Sequence, residues 1–111
     1  MTTCVFCGII SGTEPAVIVR QWPDAIAFIP LHPVARNHSL VVPRVHVPDA
    51  VTNPAVTALT MSRAAELAGA YSASNIVTSV GSAATQSVFH LHLHVIPREQ
   101  GDHLMLPWST L

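Results

Sequence analysis

Near its C-terminal end the chain carries the run Ser87-Val88-Phe89-His90-Leu91-His92-Leu93-His94-Val95-Ile96-Pro97. Strict polar–apolar alternation that stops at a proline reads as a β-strand. Successive side chains of a strand take opposite faces. His90, His92 and His94 therefore share one face in steps of about 6.5–7 Å, while Leu91, Leu93 and Val95 point into a core. Imidazoles held in a row by a packed opposite face suit metal binding, nucleophilic attack or proton transfer near neutral pH. The plain alternative is a half-exposed strand with a chance run of histidines.

The rest of the chain supplies partners for that strand. Val5, Phe6, Ile9 and Ile10 fit a short helix stopped by Gly12. Residues 17–21 and 25–29 read as a hairpin turned at Trp22-Pro23-Asp24, and residues 37–43 as a third strand. His38 shares its parity with Leu40 and Val42. His46 lies in a corner bounded by Pro43 and Pro48, without a periodic partner in its own segment. Asn53 is an N-cap with Pro54 at the first helical position. The helix it starts is expected to run to about Tyr71, with Val56, Leu59, Leu67 and Tyr71 on one side and Met61, Ala65 and Ala68 on the other. Both sides are apolar, which predicts that one packs on the sheet and a second subunit covers the other. Residues 75–80 read as a further strand, and residues 103–108 as an apolar tail.

At 111 residues the expectation is a single domain, 1–111, of α+β class. Only 10% of residues are charged, well under the usual quarter, and there is no lysine. A surface so poor in charge again points to an oligomer. The formal net charge of −1 argues against nucleic acid as a partner. No apolar run approaches the roughly 18 residues of a membrane span, and no basic region precedes an apolar core at the N-terminus. The expected location is therefore the cytoplasm.

Cys4 and Cys7 are the only cysteines. In a reducing compartment a two-residue spacing suggests a metal or redox pair rather than a structural disulfide. Zinc in a structural site takes four ligands, and His46 with one of the strand histidines could complete the set. A metal shared by all three strand histidines is harder, because His90 and His94 lie about 13 Å apart on a flat strand. The loop Gly81-Ser82-Ala83-Ala84-Thr85-Gln86-Ser87 is built of small residues whose backbone can approach a ligand. With Ser79 it offers several donors for an oxyanion, directly before the histidines. A histidine beside such a loop can attack phosphorus or act as a base on water. Spacing alone leaves His92 and His94 equally eligible.

The run from His90 to Ile96 resembles the signature of the histidine triad (HIT) superfamily of nucleotide hydrolases and transferases. The stretch Cys4-Val5-Phe6-Cys7-Gly8-Ile9-Ile10 resembles the opening of its bacterial zinc-containing branch. The blocks 25–48 and 86–89 also match. The resemblance implies a HIT-like fold: a five-stranded antiparallel sheet, one long helix and a short N-terminal helix, paired into a homodimer. It implies hydrolysis at the α-phosphorus of a purine nucleotide or nucleotide conjugate. His92 would be the nucleophile, oriented by the His90 carbonyl, with His94 on a phosphate oxygen and His38 supporting the row. Ser79, Gln86 and Ser87 would line the phosphate and leaving group, and Phe6, Ile10, Phe28 and Leu31 the base. Cys4, Cys7, His46 and His90 would hold a structural Zn2+. Three positions depart from the family pattern. Pro30 stands where Asp or Asn usually grips the ribose, Ser79 where an amide is common, and Thr85 where glycine is usual. These departures give the alternative reading of a catalytically weak nucleotide- or phosphate-binding homodimer with a structural zinc site.

Overall fold

The computed structural model describes residues 4–109. Its elements are α1 (Val5–Ser11), β1 (Ile18–Gln21), β2 (Ala25–Phe28), β3 (Ser39–Pro43), α2 (Pro54–Ala68), β4 (Ser74–Val77) and β5 (Leu93–Pro97), with a 3-10 turn at Ser82–Ala84. The strands form one five-stranded antiparallel sheet in the order β1-β2-β3-β5-β4. This is the expected α+β arrangement. No helix among the described residues is long and apolar enough to cross a membrane.

Alternation in the central strands divides the core in two. Ala25, Ala27, Val41, Leu93 and Val95 face α2, where they meet Ala64 and Leu67 together with Trp22, Val47 and Leu91. The small side chains of Ala25, Ala27 and Ala64, all fully buried, let the helix lie close to the sheet. On the opposite face Ile26, Phe28, Leu40 and Val42 pack against Phe6 of α1. The register Phe28↔Leu40↔His94 runs across that second face, so α1 and the histidine row share it.

Both helices start as their sequences require. The Asn53 side chain accepts from the Val56 N–H at 3.3 Å, ahead of Pro54. The Cys4 thiol caps α1 by accepting from the Cys7 N–H at 3.3 Å. α1 ends at Gly12 in the left-handed region (φ 84°). α2 stops at Ala68 rather than near Tyr71. The Ala70 and Tyr71 N–H groups turn to carbonyls three residues back, those of Leu67 and Ala68, as the chain passes Gly69, a poor helix former. The buried stripe of α2 is Thr60, Ala64 and Leu67, flanked by Val56 and Ala68, while Met61 and Ala65 face outward.

The histidine strand is shorter than its alternation predicts, because β5 begins only at Leu93. Pro43, at the end of β3, has no N–H to offer a further rung. Its carbonyl accepts instead from the His90 ring at 2.9 Å. On the other side the ladder with β4 ends at Val77↔His94, and the Thr78 hydroxyl takes the His92 carbonyl at 2.8 Å. The chain bends through residues 88–90, and the Leu91 N–H is held by the Val47 carbonyl at 2.8 Å. Leu91, Leu93 and Val95 are all buried, so the alternation of faces survives where the ladder does not. The strand expected over 75–80 is likewise cut back, to Ser74–Val77.

Candidate active site and metal centre

The donor atoms of Cys4, Cys7, His46 and His90 all lie within 4.8 Å of one another. His90 Nδ1 is 3.4 Å from Cys4 Sγ, 3.5 Å from Cys7 Sγ and 3.1 Å from His46 Nδ1, and Cys7 Sγ is 3.3 Å from His46 Nδ1. A tetrahedron with zinc's bond lengths has edges of about 3.3 Å between nitrogens and about 3.5 Å between nitrogen and sulfur. These four spacings lie close to those edges. The His90 ring is also in the right tautomer. Its Nε2–H donates to the Pro43 carbonyl, so Nδ1 presents a lone pair to the cluster. Burial favours the neutral form of this imidazole, pulling its pKa down against the opposing bond to Pro43. Burial likewise raises the Cys7 thiol above its ordinary value, with the adjacent Cys4 adding to the rise. Two cysteine sulfurs and two imidazole nitrogens form a closed four-ligand candidate metal site of zinc's type, with no position left for substrate.

The other histidines form a second chain of fixed tautomers. His92 Nδ1 lies 2.8 Å from the His90 carbonyl oxygen. A carbonyl only accepts, so Nδ1 carries the proton and Nε2 is left with an in-plane lone pair. The Val34 N–H donates to His38 Nδ1 at 3.0 Å, which places the His38 proton on Nε2. That proton points at His94 Nδ1, 3.0 Å away, so neutral His94 carries its own proton on Nε2. His92 therefore offers an electron pair and His94 a donor. Burial, reinforced by His92 and His38, pushes the His94 pKa down to about 4, and burial lowers that of His38. The His92 ring packs against two others: Phe6, in a T-shaped contact at 5.2 Å between centroids and 86° between planes, and His94, at 5.3 Å and 66°.

The loop before the row is braced by Gln86. Its Oε1 accepts from the Gly81 N–H at 2.9 Å, and its Nε2 donates to the Pro48 and Val88 carbonyls at 2.8 and 3.1 Å. Both amide protons are committed inside the protein, so Gln86 shapes the loop and has no free N–H for a ligand. Ser87 is exposed and Ser79 half-buried. Thr85 adopts φ 72°, the left-handed region where glycine is at ease. Phe6, Phe28 and Ile10 meet in the apolar cluster beside the row. Leu31 is 92% exposed and stands apart from them. A cavity of about 480 Å³ opens beside the 34–37 loop, against Tyr71, Pro97 and Asp102, but none of the histidines in the row lines it.

Several members of this network escape sequence reasoning. The Pro43 carbonyl and the Val34 N–H are backbone groups with no signature in residue type. Thr78 sits in what reads as an ordinary strand. Asn37 precedes His38 at φ 65° and turns the chain into β3; only asparagine's tolerance of that region hints at it.

The HIT domain profile matches residues 11–101, which is most of the chain. This is a HIT-family protein. The HIT chain is 36% identical over 108 residues to the uncharacterized HIT-like protein MT1300 of Mycobacterium tuberculosis, covering 91% of this chain and 75% of the relative. It is 32% identical over 114 residues to the adenylylsulfatase HINT3 of Arabidopsis thaliana, covering 96% of this chain and 56% of that one. Among solved structures it resembles a Zn-bound histidine triad family protein from Mycobacterium smegmatis, with a TM-score of 0.83, 34% identity, and 93% and 80% of the two chains covered. A HIT family hydrolase from Clostridium thermocellum gives a TM-score of 0.81 at 27% identity, with 96% and 99% covered. A zinc-bound relative is in keeping with the tetrad of this HIT chain, and the proteins it resembles include a HIT family hydrolase, an adenylylsulfatase and a hypothetical histidine triad nucleotide-binding protein.

Proposed function

We propose that this protein hydrolyses nucleotide derivatives at the α-phosphorus, with His92 as nucleophile. The observation that carries the proposal is the 2.8 Å contact between His92 Nδ1 and the His90 carbonyl, which leaves Nε2 as a directed electron pair. In the first step Nε2 bonds to phosphorus as the bond to the leaving group breaks, and the leaving group keeps that electron pair and takes a proton from solvent. In the second, a water oxygen bonds to phosphorus and loses a proton to solvent, the P–Nε2 bond breaks with its electron pair returning to Nε2, and a nucleoside monophosphate departs. His94 donates its Nε2–H to a non-bridging phosphate oxygen, and His38 keeps that proton in place. Ser87 and Ser79 lie along the path of the phosphate and leaving group, with Gln86 holding the loop. Phe6, Ile10 and Phe28 provide the apolar wall for a purine base, and Leu31 completes it only if the exposed 31–34 segment folds in over the ligand.

Zinc held by Cys4, Cys7, His46 and His90 would fix α1 to the start of the row and supply no reactive position. We assign the chain a single domain, 1–111, acting as a cytoplasmic homodimer whose second copy covers the outward face of α2, where Met61 is 40% exposed. A hydrolase and an adenylylsulfatase among its relatives support the hydrolytic reading.

The second reading is a weakly catalytic nucleotide- or phosphate-binding homodimer. Pro30, the left-handed Thr85 and the fully engaged amide of Gln86 favour it. One assay separates the two: release of nucleoside monophosphate from an adenosine phosphoramidate or aminoacyl-adenylate, run beside His92→Ala. The hydrolase reading expects wild-type turnover at least about 10³ times that of the variant. Equal rates across purine and pyrimidine substrates, with nucleotide still bound, would leave the binding module.

A further inference from the structure

The cluster and the nucleophile meet in two places. His90 gives its ring to the tetrad and its backbone carbonyl to His92. Phe6 lies in α1 between the ligands Cys4 and Cys7 and sets its ring in a T-shaped contact with His92.

A single hydrogen bond fixes the tautomer of His92 but not its ring plane, because the second side-chain torsion of histidine is broad. The rings packed against it must hold that plane. One is His94, seated in β5. The other is Phe6, which also makes a T-shaped contact with Phe28 at 5.3 Å and lies 6.0 Å from the His90 ring. Phe6 belongs to a helix of seven residues. A helix that short falls well below the roughly 12–15 residues needed to persist in water. Beyond its caps, α1 is held by the buried Phe6, by Ile9 and Ile10 packed on the same apolar cluster, and by the two cysteines of the tetrad.

We propose that Phe6 is a positioning residue, through which the metal-held α1 keeps the His92 ring in its attacking plane. This rests on the reading of His92 as nucleophile and goes beyond an apolar wall for a base. A base contact affects only substrates that have a base. A wall on the nucleophile affects every substrate.

The test uses the zinc-loaded chain, its Phe6→Leu and Phe6→Tyr variants, and the chelated wild type. Zinc content is measured for each. Activity is followed on adenosine 5′-phosphoramidate and on a phenyl phosphoramidate monoester that lacks a nucleoside. NMR follows the hydrogen-bonded His92 Nδ1 proton without substrate. The expected result is a kcat lowered about tenfold by Phe6→Leu on both substrates, with zinc retained and KM within about twofold. The His92 proton should exchange faster in that variant and in the chelated chain, and Phe6→Tyr, which keeps the ring, should restore both readouts. A loss confined to KM for the adenosine substrate, or an unaltered His92 proton in Phe6→Leu or after chelation, would overturn the proposal. If Phe6→Leu loses zinc, the chelated wild type and Phe6→Tyr carry the comparison. If wild type turns over neither substrate, the hydrolase reading fails, and the NMR measurement alone decides the positioning role.

Discussion

His38 Nε2 lies 3.0 Å from His94 Nδ1, and the far nitrogen of His38 is closed by the Val34 N–H at 3.0 Å. This order of donors is set by a backbone group, which cannot change its role. It commits His94 to presenting an N–H rather than a lone pair. If that proton stabilises the phosphate, His38→Ala should lower kcat by about tenfold, or about 1.4 kcal/mol, with little change in KM. Steady-state kinetics and ¹⁵N spectra of the His94 ring measure the two halves of the prediction. An unchanged His94 tautomer in the variant contradicts it.

Acid should destabilise the fold through the same pair. In the unfolded chain a histidine takes its proton near pH 6.5, whereas His94 in the folded chain holds out to about 4, chiefly because it is buried. Between those values the unfolded state binds more protons, so stability rises with pH. The contribution is whole above 6.5 and is lost as pH falls toward 4. Allowing for the partial exposure of His94, it is on the order of 2 kcal/mol. His38 shifts in the same direction. Acid also strips metal from thiolate and imidazole ligands. The measurement is therefore urea unfolding between pH 7 and 5, with His94→Gln beside wild type. The variant should show the shallower dependence, and identical slopes would remove His94 as a cause.

Removing one ligand of the tetrad should release the metal and loosen α1. Protein purified without added metal is expected to hold about one zinc per chain, and Cys7→Ser or His46→Ala less than about 0.2. The melting temperature of either variant should fall by more than about 10 °C. Elemental analysis and thermal scans measure this. A metal-free wild type with reduced cysteines and the same melting temperature as the variants counts against the site.

Three of the metal ligands and the row could be anticipated because they are written in residue type, while the resemblance singled out His90 as the fourth. Cys4 and Cys7 have close-turn spacing, His46 stands alone in its corner, and the alternation from His90 sorts faces correctly even where the ladder ends. What escaped depends on backbone groups and on competition for them. β5 is short because His90 and Thr78 take the carbonyls of Pro43 and His92. Gln86 reads as a ligand donor, yet its amide is spent on Gly81, Pro48 and Val88, contacts that cross the chain. Leu31 is placed in an apolar wall by the family resemblance, but it lies in a proline-bounded loop beyond β2 and is exposed. The left-handed Thr85 closes the 3-10 turn of Ser82–Ala84; threonine's own propensity does not announce it, but its standing where the family has glycine does.

That turn supplies a prediction about stability alone. A β-branched residue in the left-handed region costs on the order of 1–3 kcal/mol, part of which glycine gives back in unfolded-state entropy. Thr85→Gly should therefore stabilise the chain by about 1 kcal/mol, raising the melting temperature by about 4–8 °C. Thermal unfolding at fixed zinc and pH tests it. A lower melting temperature would mean that the threonine contributes something its backbone conformation conceals.

The central claim is that the His92 Nε2 lone pair attacks phosphorus, and the intermediate itself tests it most directly. Zinc-loaded protein is mixed with adenosine 5′-phosphoramidate, quenched in base within the first turnovers, and mapped by peptide mass spectrometry. The expected result is an adenylyl group on the peptide containing His92, absent from His92→Ala and chased off by water when the quench is delayed. Turnover at the wild-type rate in His92→Ala, or an adenylyl group found on a different residue, would contradict the account.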